Sequence, residues 1–258
     1  MPNELVWDRP EPPSKPSPTP LSRDLIVSAA IRLADEGGLD EVSLRKVAAA
    51  LNAGPMRLYG YIETKDELFD LMVDEVYREI TPPRPSVGWR TGLRHVAHGI
   101  RDAAKRHEWF IDLLSPRPHQ GPHSLAHVEA TLATVQFEDI DQVLSAVGAV
   151  MAYVYGAVRG EITELRAERS TGMTEEQWQR ASGPYMERML ATGKFPTLAR
   201  VMYESSDRDP AQVFDEGLDY VLDGIAARHD TTRKHIPGSK RGGSASAPSA
   251  PSPAPAER

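Results

Sequence analysis

Residues 43–68, S-L-R-K-V-A-A-A-L-N-A-G-P-M-R-L-Y-G-Y-I-E-T-K-D-E-L, decide the fold of this chain. Leu44, Val47, Ala48 and Leu51 recur at helical spacing and give one short helix a single apolar face. The period breaks at Asn52-Ala53-Gly54. Asn tolerates the left-handed conformation that ends a helix, and Gly54-Pro55 suits an N-cap followed by a first helical position, so a second helix starts at once. Its spacing turns Leu58, Tyr59 and Ile62 back toward the first helix and leaves Met56, Arg57, Gly60 and Tyr61 facing outward. Ala48 and Ala53 are small enough to let the two helices cross closely. Two helices joined by so short a turn form a helix-turn-helix, whose second helix enters the major groove of DNA.

A plain helical hairpin would show the same spacing, and charge separates the two readings. From Ser43 to Lys65 the chain carries Arg45, Lys46, Arg57 and Lys65 against Glu63, in a protein of formal net charge −7. A groove-binding element needs its cations where the phosphates lie, and an acidic remainder limits indiscriminate adhesion to nucleic acid.

These residues also carry a family resemblance. The run from Val42 to Leu68, preceded by a helix from Leu21 to Glu36, is similar to the DNA-binding domain of the TetR family of transcriptional repressors, over about residues 21–80. The distinctive part is the aromatic pair Tyr59 and Tyr61, then Ile62 and Thr64-Lys65. The resemblance implies base reading by Arg45 and by Pro55, Met56 and Arg57, and phosphate contacts by Tyr59, Tyr61 and Lys65. Side-chain chemistry suits those roles: Arg binds guanine bidentately, Met touches a thymine methyl, and Tyr and Lys donate to phosphate. Ser43 reads as an N-cap and is equally placed as a phosphate ligand. Gly60 departs from the pattern, since the family often has a bulkier or basic residue there.

The rest of the chain serves this head. Residues 1–20, with seven prolines, read as an extended or disordered arm, more a passive tail than a minor-groove contact, although Arg9 and Lys15 are basic. Ser22 caps a first helix with Leu25, Ile26, Ala29, Ala30 and Leu33 on its apolar face, ended by Gly37-Gly38. Thr64 with Glu67 makes a capping box for a fourth helix running to about residue 80, which joins the head to everything beyond and reads as its lever. Residues 86–230 show helical periodicity only, so the fold is all-α: a three-helix head, a linking helix and a C-terminal bundle, which the resemblance implies binds ligand and dimerises. A long helix over about residues 139–166 carries Gly148, Ala149, Ala152, Gly156 and Ala157. It suits either a monomer's centre or, as the resemblance implies, a four-helix homodimer interface with the last helix. Residues 231–258 read as a disordered basic tail rich in Pro, Ser and Ala.

Other chemistries are weaker. The absence of cysteine excludes disulfides and thiolate metal sites. No apolar run approaches the roughly 18 residues of a membrane span and no signal peptide is evident, so a soluble cytoplasmic protein is expected. His119, His123 and His127 at spacings of four define the rival, an all-α metal-dependent enzyme, but Gly121 and Pro122 interrupt that face. A second rival is a DNA-binding activator without a ligand. No glycine loop for phosphate and no nucleophile motif occurs, so neither a cofactor nor catalysis is expected. Family resemblance instead implies a small-molecule effector among Trp109, Phe110, Met151, Tyr155, Trp178 and Phe195, although large residues at helical spacing are usually core. The C-terminal half and the arm at Trp7, Arg9 and Pro10 resemble an actinobacterial subgroup associated with antibiotic export or biosynthesis. The reading is a ligand-responsive repressor that binds double-stranded operator DNA at a palindrome.

Overall fold

The computed structural model describes residues 5–12, 21–115, 119–206 and 208–235, the last five by backbone alone. Lys15, the prolines at 116 and 118 and most of the basic tail lie outside them. The described residues form eleven α-helices, two short 3-10 turns and no strand. Residues 1–222 form one compact unit and residues 223–258 a second.

The head consists of α1 (Arg23–Gly37), α2 (Leu44–Ala50) and α3 (Pro55–Leu58). Ser22 caps α1 by accepting from the N–H of Leu25, and Gly38, at φ 78°, stops it. Leu25 is 45% exposed, contrary to its expected place in the core; Val27 and Ile31 are buried instead, so the buried stripe is rotated past it. Asn52, at φ 51°, ends α2 as the sequence predicts. Its N–H bonds Ala49 O and that of Ala53 bonds Ala48 O, the paired closure of a Schellman motif.

The linking helix α4 (Lys65–Glu79) starts at Thr64, whose Oγ1 accepts from the N–H of Glu67 (3.1 Å). The expected capping box is only half formed. The Glu67 carboxylate accepts instead from the N–H of Glu63 (2.8 Å) and from Arg9. Leu68, Met72, Val73 and Val76 are wholly buried, so α4 is core on both flanks.

It packs on α6 (Phe110–Leu113) and α7 (Pro122–Thr134), which rest in turn on α5 (Trp89–Arg106) and α8 (Ile140–Thr171); α9 (Glu175–Leu190), α10 (Pro196–Glu204) and α11 (Pro210–His235) follow in the chain. Arg101 of α5 is buried and sets its Nε 2.9 Å from Glu161 of α8, with its guanidinium over the Phe214 ring. By length and composition alone α8 is apolar enough to cross a membrane, a property the residue runs did not reveal. Its most apolar 18-residue window is 28% buried.

One polar joint holds α4 to α7. Gly121 and Pro122 begin α7 with no side-chain cap of their own, and the buried carboxylate of Asp74 takes that role from across the interface. Its Oδ1 accepts from the Ser124 N–H (2.8 Å) and hydroxyl (2.9 Å), charge-assisted bonds at a helix N-terminus. A Cβ at position 121 would stand 2.1 Å from that oxygen. We therefore expect Gly121→Ala to destabilise the protein by about 2 kcal/mol or more, since the carboxylate must move off its donors. The melting temperature should fall by about 5 °C or more, and Asp74→Ala should do the same, in thermal unfolding followed by circular dichroism.

Candidate nucleic-acid interface

The helix that would read bases is a single turn hung on one side chain. Leu58 is fully buried, whereas Pro55, Arg57 and Gly60 are exposed and Met56 is 80% exposed. Gly54 frees its carbonyl to accept from Arg57 N–H (3.0 Å), and the chain leaves through bonds from Tyr61 and Ile62 N–H to Leu58 O. Arg45 on α2 and Tyr59 are exposed alongside. Ser43 caps α2 by accepting from Lys46 N–H (3.2 Å), and the Lys46 ammonium pairs with Glu41, which takes it out of the base-reading set. Lys65 is exposed, with its ammonium 4.9 Å from the Phe69 ring centroid and 3.4 Å from Leu39 O.

Tyr61 corrects the sequence reading. Its ring is buried, its hydroxyl donates to Leu21 O (3.0 Å) and its carbonyl accepts from Arg23 Nε (3.2 Å). It ties α1 to the reading turn and is not a phosphate donor. Tyr59, expected to face inward, is 48% exposed. The two exchange places because α3 ends at Leu58, so helical periodicity no longer governs where residues 59–61 point.

Residues 5–12, expected as a free arm, also lie on the head. Val6 is 2% exposed, and Arg9 pairs with both Glu63 and Glu67. Sequence reasoning missed this because the partners lie more than fifty residues away.

The expected effector residues are only partly brought together. Phe110 is fully buried and packs edge-on against Tyr77 (5.5 Å between centroids), which is hydrogen-bonded to Tyr155; Met151, one turn earlier on α8, is half-buried. Trp109 is buried, but its indole N–H is taken by Asp35 (2.7 Å), across the head-to-body junction. Trp178 is 60% exposed on α9 and Phe195 39% exposed, both outside this cluster. Their spacing marks helical faces, and those faces are left open in the single chain.

The histidine trio does not converge. His119 reaches Leu113 O (3.2 Å) and Asp70 (3.4 Å), His123 is exposed, and His127 is buried; among the described residues no group of three could hold a metal. His127 is nonetheless the most unusual group in the body. Only 4% exposed, its ring lies tilted against that of Tyr77 (5.3 Å between centroids), and neither ring nitrogen has a hydrogen-bond partner among the described residues. Burial, with His95 adding to it, lowers its pKa to about 4, so it is a neutral imidazole with one donor and one acceptor to offer.

An exposed basic helix-turn-helix on an all-helical body defines a DNA-binding regulator. Two family models match: residues 26–72 fit bacterial regulatory proteins of the tetR family, and residues 81–229 fit the tetracyclin repressor-like C-terminal domain. The HTH-type transcriptional repressor DrrR1 of Streptomyces coeruleorubidus is 36% identical over 227 residues, 86% of this chain and 83% of that protein. Among solved structures, apo ActR of Streptomyces coelicolor aligns with a TM-score of 0.70 at 23% identity, covering 84% of this chain and all of that one. BioQ, solved with its double-stranded DNA operator, aligns at 0.56 and 20% identity, over 80% of this chain and 99% of that one. The chain belongs to the TetR family of transcriptional regulators, which are not enzymes.

The two tyrosines should separate cleanly. Tyr61→Phe removes a buried bond and should cost about 1 kcal/mol in thermal unfolding while leaving DNA affinity unchanged; Tyr59→Phe should leave stability unchanged and weaken binding in a gel-shift titration. A pH series tests His127. Its pKa is about 4 in the fold against roughly 6.5 in the unfolded chain, so between those values the unfolded state holds the extra proton. Stability contributed by the neutral form is complete above roughly pH 6.5 and is lost as pH falls toward 4, by at most about 3 kcal/mol. His127→Gln should flatten the fall of melting temperature across that window.

Proposed function

We propose that the protein is a homodimeric repressor that binds a palindromic operator in the cytoplasm and releases it when a small, largely apolar effector enters each regulatory bundle. The observation that carries the DNA half of this reading is the one-turn α3, anchored by buried Leu58 and exposing Pro55, Met56 and Arg57. An element with no packing role for its polar face, set in a basic stretch of an acidic protein, suits a groove. On this reading Arg45, Pro55, Met56 and Arg57 meet base edges, and Ser43, Tyr59 and Lys65 meet phosphates.

Two recognition helices roughly 34 to 36 Å apart require a dimer. The unpartnered faces support one: on α8 Leu144, Gly148, Ala149, Ala152 and Gly156 are exposed in line, and on α11 Val213 and Tyr220. Nothing stands within 4 Å of where a Cβ on Gly148 or Gly156 would be, so a second helix can approach closely. Covering α8 in this way accounts for its apolar length without a membrane.

His127 supports the effector half. A buried imidazole lacking partners costs about 1–3 kcal/mol for each unmet group, and a ligand that meets both recovers it. ActR, solved in complex with actinorhodin at a TM-score of 0.68, supports an effector bound in a fold of this kind, and the subgroup resemblance favours an antibiotic-like compound. A ligand preferring the released conformation by roughly 3 kcal/mol lowers DNA affinity about a hundredfold.

Selection of bound fragments from random DNA tests the reading: it should return an inverted repeat with half-sites about one helical turn apart. Against that fragment Arg57→Ala should relax preference at particular base pairs, while Lys65→Ala should weaken all sequences alike and reduce the salt slope by about one. Recovery of no preferred sequence would overturn the operator assignment.

A further inference from the structure

We propose that residues 5–12 are part of the DNA-reading surface, and that Arg9 is a positioning residue that cancels carboxylate charge where the head meets the phosphate backbone. The proposal rests on the DNA-binding reading above. It begins from a conflict in the sequence: from Glu63 to Glu67 the chain places Glu63, Asp66 and Glu67 against the single cation Lys65, at the start of α4 beside exposed Tyr59. That is the end of the head that the proposed phosphate contacts use. Left alone, this net charge of −2 would repel a phosphate at short range, where intervening protein limits screening.

Arg9 resolves the conflict from the far end of the chain. One guanidinium nitrogen pairs with Glu63 Oε1 and another with Glu67 Oε2 (2.6 Å), the fork geometry that arginine offers and lysine does not. Its side chain is 16% exposed and that of Glu67 18%, whereas Glu63 remains 61% exposed. The pair is thus partly desolvated on one side and open to an approaching phosphate on the other.

The arm is built to stay there. Val6 is buried, and Asp8 N–H bonds Leu5 O in a turn that presents Arg9. Glu11 Oε1 accepts from the N–H of Arg23 (3.2 Å) at the start of α1, where a carboxylate is favoured by the helix dipole. Pro12 stands against Gly60, with its Cγ 3.4 Å from the position a Cβ there would take. The glycine that departs from the family pattern is therefore the one the arm packs on. The arm's remaining acid, Asp8, is exposed.

The test uses the full chain and a random-sequence 30-base-pair duplex, with affinity measured by fluorescence anisotropy over a salt series. Arg9→Ala should bind about five- to tenfold more weakly at low salt and lose about one from the slope of log affinity on log salt, as removal of one effective cation requires. Arg9→Lys, which keeps the charge but not the fork, should recover part of the affinity. Adding Glu63→Gln to Arg9→Ala should also recover it, because the carboxylate to be cancelled is gone; a merely structural arm contact would not be repaired by deleting a second partner. Val6→Asn, which keeps Arg9 but undocks the arm, should reproduce the loss, and unfolding curves confirm that each variant is folded. Arg9→Ala binding as wild type does, or no recovery in the double variant, overturns the proposal. Failure of the wild-type protein to bind the duplex overturns the DNA-binding reading instead.

Discussion

The buried carboxylate of Asp74 is the constraint on which the arrangement depends. It lies on α4, whose first residues follow the reading turn and whose last residues enter the body, and it caps a helix that has no cap of its own. A buried carboxylate is stable only when its lone pairs are occupied, and here the donors come from the first turn of α7. The register between α4 and α7 is therefore fixed by one oxygen. Gly121 is required because nothing larger than hydrogen fits beside it.

That fixed register also places the buried pair His127 and Tyr77. His127 is on α7 and Tyr77 on α4, three residues after Asp74, so the unpaired imidazole and the ring beside it straddle the same seam. Burial raises the Tyr77 hydroxyl's pKa well above its ordinary value, so it stays protonated and bonds Tyr155 of α8. On the proposed reading, a ligand that met either group would act directly on the helix that carries the head. Such a ligand would need only to prefer one of two packings of α4, with no chain of intermediaries.

How much of this could be read from residues alone depended on how local the cause was. Asn52, Ser22 and Ser43 were legible, because a left-handed helix end or a cap is decided within four residues. The all-α order followed for the same reason. Tyr59 and Tyr61 face opposite to the helical expectation because periodicity does not extend past the end of a one-turn helix. The arm was read as free because prolines count toward disorder, while Val6 and Arg9 find their partners across the head. Family resemblance says nothing of the bond that Trp109 makes: its buried N–H needs an acceptor and finds one on α1. His127 was singled out for a spacing that proved irrelevant; its significance is the lack of any partner, which only packing reveals.

The contrast between the two kinds of contact at the junction bears on where the molecule gives. Within the head the links centre on buried side chains, among them Leu58, Ile62 and Tyr61, whose hydroxyl reaches Leu21 O. Between head and body, at the far end of α1, Asp35 accepts from Trp109 Nε1 and pairs with His107 (2.8 Å), whose other nitrogen and Arg106 reach Glu79 of α4. These bonds edge a polar cleft of about 700 Å³ whose floor carries Arg166 and Arg169 paired with Glu108 and Asp112. Partly exposed ion pairs exchange with water at little net cost, whereas breaking an apolar seam costs about 25 cal/mol for every Å² uncovered. On the proposed reading a displacement of α4 would be absorbed at the cleft and not inside the head, which would swing as a rigid piece with its reading turn intact. Contacts of this kind would let a ligand at Tyr77 reach Arg57 as a change of position and not of shape.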